Sequence, residues 1–485
     1  METWSSRRGF ILAAVSSAVG IGNIWRFPTV LGQNGGGAYL FPYLIAVFAF
    51  ALPLMVLEFA VGRRLRTNVV GAFRRLGERL EIAGWLIATS VFTILSYYLV
   101  ITGWTLAYFI QSARGRTLDF DTFSGGYAPL VAFLVSAVAT GAITSLGVRA
   151  GIERMASTFM PLAFAILFGL AVYSTTLAGF REGASFMFSP DFSALLQPGI
   201  WSAALGQAFF SLSVGFGVLL TYGSYARREA DIVRSATVIT VADLSVAMLA
   251  GLVIFPMVFT FGLEPTAGAE LTFTTLPAAF EQMPAGTILA PAFFLLLFAA
   301  ALPPSVSMME LNVAAVVEKT GIGRRTTSLI LTMLVIALGM PSALSYTALD
   351  LEVFGSPVLD LLDDTLGRFG LPVGGLLIAF FFSRRMPPRA LFDEFRLVAG
   401  RWTLRRLLLP LLRYPIPGVL GVVTLTTIFT GIDLDAYGVL PRLEGLDGLW
   451  QALVAILGGA ALLVSTLIVV TLLRRWLSPY LRGWR

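Results

Sequence analysis

The sequence predicts an all-α polytopic membrane protein in which two of the spanning helices break in mid-membrane. Three observations lead there. Apolar residues make up 57% of the 485 residues and charged residues 13%, against about 25% charged in an average soluble protein. Apolar segments of about 20 residues, the length that crosses a bilayer, recur from end to end. Two of them carry Gly-x-Gly beside polar residues in mid-span, where each glycine costs about 1 kcal/mol relative to Ala in a helix. The chain has no Cys and no His, which excludes a disulfide framework, thiol chemistry, the commonest metal ligand and the usual proton shuttle.

Twelve segments are long enough to span. They lie near 9–32, 38–62, 82–111, 128–145, 153–178, 199–226, 235–262, 288–317, 327–344, 356–383, 415–432 and 449–474. The first is preceded by Ser6-Arg7-Arg8-Gly9-Phe10-Ile11, which resembles a twin-arginine export signal. Because spans continue throughout, Arg7 and Arg8 read instead as cytoplasmic anchors of helix 1. Within it lies Ser16-Ser17-Ala18-Val19-Gly20-Ile21-Gly22-Asn23-Ile24-Trp25-Arg26-Phe27-Pro28. In hydrocarbon every free backbone N–H or C=O costs several kcal/mol, so such an interruption survives only beside protein or water. Asn34-Gly35-Gly36-Gly37 lacks the lysine of a phosphate loop and reads as a hinge into helix 2.

The loops alternate in charge. The 63–79 loop holds six arginines and the 384–413 stretch holds eight. All but six of the 34 Lys and Arg fall on that side, termini included. The opposite loops carry Asp119, Asp121, Glu264, Glu270, Asp433 and Asp435 with few bases. The positive-inside rule then puts both termini in the cytoplasm of a plasma-membrane protein, in agreement with an even number of spans. The net charge of +6 is therefore topological, and no nucleic-acid partner is expected. The 384–413 stretch reads as a solvated loop or one that touches anionic lipid.

Segment 6 repeats the oddity of segment 1. Gln207-Ala208-Phe209-Phe210-Ser211-Leu212-Ser213-Val214-Gly215-Phe216-Gly217 again places Gly-x-Gly in mid-span. Close helix packing would explain one such pair. Two at corresponding places, each beside polar residues, favour paired breaks at a transporter binding site. Five helices separate the breaks, so two five-helix repeats (1–180 and 199–383) are expected. Odd repeat length makes them inverted, and 384–485 adds a loop and helices 11 and 12. Half-helix N-termini would face an anion and half-helix C-termini a cation.

Ionisable residues inside spans are functional candidates by default. Arg26, just beyond the first break, suits an outer gate with an acid such as Asp363, or snorkels to the interface. Glu58 suits freed N–H groups of a broken helix. Asp243 sits in segment 7, where an unpaired carboxylate takes a proton or a cation. Glu310 lies toward the inner half of segment 8 and suits a cytoplasmic vestibule. No hydrolase triad, phosphate loop or oxyanion arrangement is present, so no enzyme is expected.

Ala18 to Pro28, Asn34 to Tyr39, Ser96-Tyr97-Tyr98 with Gly103-Trp104-Thr105, Gly206 to Tyr225 and Asp360-Leu361-Leu362-Asp363 closely resemble the neurotransmitter:sodium symporter family. The likeness runs through helices 1–10 and is nearest the prokaryotic amino-acid branch typified by the bacterial leucine transporter. It implies the leucine-transporter fold and alternating access. By position it implies a substrate carboxylate at the N–H groups of Ile21 and Gly22 and the Tyr98 hydroxyl. The amine would meet carbonyls of Ala18, Phe210 and Ser211 and the Ser213 hydroxyl. Ile94, Tyr98, Phe210, Phe216, Pro304 and Met308 would line the side-chain pocket. Family members carrying amines without a carboxylate have Asp where this chain has Gly20, so an apolar or aromatic amino acid is the expected substrate.

The resemblance also implies a first sodium site from Ala18, Asn23, Ser211 and Asp243. Chloride, bound in several members near positions matching Tyr43, Gln207 and Ser211, is not expected here, because the Asp243 carboxylate would supply its charge. At the second sodium site Ser16, Val19 and Ala300 offer carbonyls, but Pro303 and Pro304 stand where the family has two hydroxyls, and proline offers neither hydroxyl nor N–H. That site is expected to be weakened or absent. The cytoplasmic gate would use Trp4, Tyr225 and Glu318, with Arg7 or Arg8 in place of a missing arginine. Two further readings stay open: an amino-acid sensor that does not transport, and a proton-coupled transporter. The sequence carries no sign of oligomeric state.

Overall fold

The computed structural model describes residues 2–192, 198–264, 271–353, 355–395 and 402–430. The expected twelfth segment, 449–474, and the acids Asp433 and Asp435 lie outside the described residues. Among the described residues, eight helices are long and apolar enough to cross a membrane. A ninth arises if the bent pair Arg7–Ala18 and Gly22–Gln33 is one span, with 52° between its halves. Gly37–Leu65, Glu78–Ala113, Ala128–Ser145, Val148–Ser174, Ile232–Thr260, Gly286–Thr320, Arg324–Leu344 and Val358–Arg385 fall on the expected segments. Segment 6 forms two short helices, Pro198–Ser211 and Val218–Ser224. Pro415–Thr430 is helical where segment 11 was expected.

Local chemistry explains each break. Ser6 caps the first helix by accepting from the Gly9 N–H at 2.9 Å. The helix stops at Ala18 because Val19 is extended (ψ 110°). In the second broken helix Ser213, Gly215 and Gly217 take positive φ values of 52°, 91° and 72°. Three left-handed residues in five cannot continue a right-handed helix, and glycine bears that geometry without strain. The hinge after Gln33 uses Gly35 and Gly36 at φ 79° and 64°. At Gly36 a Cβ would also sit 2.3 Å from the Phe186 carbonyl.

The half-helix Val218–Ser224 lies tightly against Gly37–Leu65. A Cβ on Gly62 would come within 1.8 Å of the Leu220 carbonyl, and one on Gly223 within 2.7 Å of the Phe59 carbonyl. Small residues let these backbones touch, the usual device for helix association in lipid.

The structure corrects the reading of 384–413 as a loop. Its described residues form the helices Pro388–Glu394 and Trp402–Arg413, and Leu391, Leu408 and Leu412 are buried. The first of these helices is held by Arg63, whose side chain is only 4% exposed. Its guanidinium donates to the Glu394 carboxylate at 2.6 Å and to the Glu394 carbonyl at 2.9 Å. It also donates to the Ala230 carbonyl, tying the stretch to the 227–231 turn. Three short helices, Val69–Leu76, Phe180–Phe188 and Leu276–Glu281, and a two-residue β-pair, Glu352–Val353 with Ser356–Pro357, fill loops where the sequence offered no period long enough to read.

Gly62→Val is expected to push the half-helix off its partner and to destabilise the protein by about 1–3 kcal/mol or more. Thermal unfolding of the detergent-solubilised protein measures this, and an unchanged midpoint would refute the packing argument.

Candidate functional site

The two breaks face each other, and the second broken helix satisfies carbonyls of the first. Ser213 Oγ, in the second break, donates to the Ser17 carbonyl of the first at 2.8 Å. Gln207 Nε2 donates to the Gly22 carbonyl at 2.9 Å. Within the first break Asn23 Oδ1 accepts from the Gly20 N–H at 3.0 Å. Glu58, fully buried on Gly37–Leu65, accepts from the Gly215 N–H at 2.7 Å. That places a carboxylate just ahead of the half-helix Val218–Ser224, where the dipole favours negative charge. The role read for Glu58 from the sequence matches this contact.

Asp243, 1% exposed, projects from Ile232–Thr260 toward the first break. Its Oδ1 accepts from Asn23 Nδ2 and its Oδ2 from Ser211 Oγ, both at 2.7 Å. Asn23 Nδ2 also reaches Ser211 Oγ at 2.8 Å and the Asp243 carbonyl at 3.2 Å. Among the described residues no Lys or Arg pairs with Asp243. A buried carboxylate answered only by neutral donors is an incomplete arrangement in a low-dielectric interior. Carboxylate and hydroxyl oxygens gathered at one point suit a small hard cation, while the Asn23 carboxamide presents its Nδ2 there and its Oδ1 to the Gly20 N–H. No cluster of three His, Cys, Asp or Glu exists among the described residues, which disfavours a divalent or transition metal.

Beside this group is a cavity of about 30 Å³. Ala18, Gly20, Gly22, Ile94, Tyr98, Phe210, Ser211, Ser213, Phe216, Pro304 and Met308 all line it. Of the substrate-site residues named from the sequence only Ile21 is outside the lining, and its backbone amide lies against the Tyr98 hydroxyl. Ser17 and Val218 also line it and were missed; both flank the breaks, which was the available signal. The cavity holds about two waters, so an amino-acid side chain enters only as its walls move.

The proline pair sits inside the unbroken helix Gly286–Thr320. Pro303 and Pro304 carry no N–H, so the Ala299 and Ala300 carbonyls lose their usual helical donors. The Ala300 carbonyl is turned toward the first break, 3.8 Å from where a Gly20 Cβ would stand. Ser305 Oγ is turned to its own helix, donating to the Ala301 and Leu302 carbonyls at 3.0 Å. Ser16 and Val19 are buried at the end of the first half-helix.

The gates differ from expectation. Arg26 and Asp363 form no ion pair within 4.0 Å. The Arg26 guanidinium stacks on the Phe210 ring, 4.5 Å from its centroid, and Asp363 accepts from the Tyr97 hydroxyl at 3.0 Å. At the Arg-rich side Trp4 and Tyr225 do meet. Trp4 N donates to the Tyr225 carbonyl at 3.2 Å and Trp4 Nε1 to the Tyr222 carbonyl at 3.0 Å. Glu318 is elsewhere: Thr67, Asn68 and Arg74 hold its carboxylate, because the Val69–Leu76 helix folds back over it. The acid at this gate is Glu310, wholly buried, which accepts from the Tyr225 hydroxyl at 2.7 Å and pairs with Arg324. Arg324 also reaches Glu2 at 3.5 Å, and Glu153 accepts from the Ser5 N–H at 3.0 Å. Arg7 and Arg8 take no part in an ion pair among the described residues. Sequence reasoning did not single out Arg324, Glu2 or Glu153, and nothing local marked them.

Trp4→Ala should loosen this gate. In a chain without native Cys, Ser17→Cys provides a clean probe. Adding Trp4→Ala is expected to raise its thiol-labelling rate from the Arg-rich side several-fold, and an equal rate in both proteins would count against the gate.

The chain is similar in sequence and fold to known proteins of one family. The model of the Sodium:neurotransmitter symporter family matches residues 1–124 and 119–386. The uncharacterized sodium-dependent transporter YhdH of Bacillus subtilis (strain 168) is 37% identical over 406 residues, 81% of this chain and 90% of that protein. The sodium-dependent neutral amino acid transporter B(0)AT2 of Mus musculus is 30% identical over 292 residues, 52% of this chain and 40% of that protein. The crystal structure of MhsT in complex with L-phenylalanine superposes with a TM-score of 0.81 at 38% identity, covering 88% of this chain and 99% of that one. The fold is therefore the leucine-transporter fold, and the family is one of transporters rather than enzymes. The chain belongs to the sodium:neurotransmitter symporter family.

Proposed function

We propose that this chain imports an apolar or aromatic amino acid, coupled to one sodium ion, by alternating access. The observation that carries the reading is the buried Asp243 carboxylate, held by Asn23 and Ser211 beside a cavity between two broken helices. Sodium would complete the charge there, with the Ala18 carbonyl and the substrate carboxylate as further ligands. The carboxylate would take the N–H groups of Ile21 and Gly22 and the Tyr98 hydroxyl. Ser213 donates its proton to the Ser17 carbonyl, which leaves its oxygen free to accept from the substrate ammonium, with carbonyls of Ala18, Phe210 and Ser211. Ile94, Phe216, Pro304 and Met308 would hold the side chain. A Cβ on Gly20 would lie 3.2 Å from the Tyr98 hydroxyl and 3.1 Å from Pro304, so an acidic side chain there would crowd a carboxylate-bearing substrate.

The pair of prolines supports a single sodium, since the freed Ala300 carbonyl alone makes a poor site with Ser16 and Val19. The fixed Asp243 charge supports chloride independence. Binding of sodium must favour the outward-facing state, or no gradient could do work on the substrate. With both termini in the cytoplasm of the plasma membrane, Arg26, Phe210 and Asp363 form the outer gate and Trp4, Tyr225 and Glu310 the inner one. Residues 1–180 and 199–383 would be the inverted repeats. The same prolines favour a second reading, in which Asp243 carries a proton instead of sodium.

Proteoliposomes holding the full chain and labelled amino acids test both. Under a sodium gradient alone, uptake is expected to accumulate substrate with hyperbolic sodium dependence. Uptake driven only by a proton gradient would replace sodium coupling with the second reading, and binding without any uptake would make the protein a sensor. Asp243→Asn is expected to bring a chloride requirement that the wild type lacks. Chloride stimulation of the wild type would sink the charge-replacement argument.

A further inference from the structure

The spanning helix Gly37–Leu65 ends, on the Arg-rich side, in a cluster of guanidinium groups. Arg63 and Arg64 lie in its last turn and Arg66 caps it. Arg75, on the short helix Val69–Leu76, reaches back and donates to the Leu65 carbonyl. Arg228 comes from the 227–231 turn, where its own carbonyl lies 3.4 Å from Arg63 Nη1.

The centre of the cluster is held in place by backbone chemistry. Arg66 is left-handed, at φ 51° and ψ 46°, a conformation few residues other than glycine adopt. Its N–H still bonds the Gly62 carbonyl at 2.8 Å, so the helix closes there and the side chain leaves it. Arg66 Nη1 donates to the Ser224 carbonyl at 3.2 Å and to the Ala226 carbonyl at 2.5 Å. These carbonyls lie at the C-terminal end of the half-helix Val218–Ser224, where open acceptors and the dipole favour a cation. One half-buried guanidinium is thereby fixed between two helix ends.

The charge around it does not balance. Arg63 gives Nε and Nη2 to Glu394 and Nη1 to the Ala230 carbonyl. Arg64 stands 3.9 Å from the other Glu394 oxygen. Glu394 is therefore taken twice. Glu229, exposed on the turn, pairs with none of these arginines within 4.0 Å, and among the described residues Arg66, Arg75 and Arg228 are in no ion pair. Burial, then the Arg228 and Arg63 charges, hold the Arg66 guanidinium below its usual value, against the opposite pull of Glu394 and Glu229. Like charges kept this close at a partly buried point favour an anion from outside the chain.

The number of forks selects the anion. A carboxylate matches one guanidinium face to face, whereas three guanidinium groups from three elements suit an anion with oxygens on several sides, as phosphate has. The place selects its level, since the end of a spanning helix on the basic side lies among lipid headgroups. We propose that Arg66, Arg75 and Arg228 form a binding site for a phosphate group. Arg66 is its fixed base, and the exposed Arg75 and Arg228 supply the remaining donors. An anionic phospholipid and a soluble phosphate both present this chemistry, and the test separates them.

Two measurements on the purified full-length protein test the site. Native mass spectrometry after reconstitution in nanodiscs of phosphatidylcholine with phosphatidylglycerol reads retained phosphatidylglycerol. Thermal unfolding in potassium phosphate against potassium chloride of equal ionic strength reads inorganic phosphate, since a ligand of the folded state raises the midpoint. The wild type is expected to respond in at least one. Retained lipid without a phosphate shift assigns a headgroup, and a phosphate shift assigns a soluble ligand. Arg75→Gln and Arg228→Gln should each weaken the response about tenfold. Arg228→Lys keeps the charge without the fork and should recover only part of it. Arg154→Gln, at an exposed arginine of another helix on the same side, should change nothing. Equal losses from Arg154→Gln and Arg228→Gln, or full recovery with Arg228→Lys, would mean a diffuse basic surface and overturn the site. A wild type that retains no phosphatidylglycerol and shows no phosphate shift overturns it as well.

Discussion

A peptide group freed in the middle of a membrane has no water to turn to, and much of this structure follows from that constraint. Each break exposes N–H and C=O groups whose desolvation costs several kcal/mol if unanswered. Ser213 and Gln207 on the second broken helix donate to the Ser17 and Gly22 carbonyls of the first, and Glu58 on Gly37–Leu65 accepts from the Gly215 N–H. The first break therefore depends on the second. Ser17, Gly22 and Ser213 also line the cavity between them.

Buried carboxylates mark three different solutions to one electrostatic problem. Glu58 is answered by backbone N–H at the start of a half-helix. Glu310 is answered by a full cation, Arg324, and by the Tyr225 hydroxyl. Asp243 has only the neutral donors Asn23 and Ser211. Only Glu310 meets a full cation; Glu58 and Asp243 have neutral donors alone, and the Glu58 Oε2 has no partner among the described residues. What singles out Asp243 is its place, with Asn23 and Ser211, beside the cavity between the breaks.

The proline pair acts through the backbone. Pro303 and Pro304 withhold two N–H donors, yet Gly286–Thr320 runs through them as one helix. Ser305 and Ser307 donate to the Ala301, Leu302 and Pro303 carbonyls, not to the Ala299 and Ala300 carbonyls that the prolines free. Those bonds fix the Ser305 hydroxyl to its own helix.

The described spans and the two breaks were legible in the sequence, in local signals: the length of apolar runs and Gly-x-Gly in mid-span. The residues lining the central cavity were named by position from the resemblance to the symporter family, not from any local signal. The contacts of Glu318 and the folding of 384–413 were not legible, because they rest on partners hundreds of positions away. Glu318 is claimed by Thr67, Asn68 and Arg74. Arg63 draws Glu394 into the interior. Arg324 and Glu2 converge on Glu310 only once the bundle has formed. Hydrophobicity and backbone geometry act along the chain and can be read from it. Which charge meets which is settled by long-range packing, since a charged side chain carries the same local signature whether it ends in solvent or in a buried pair.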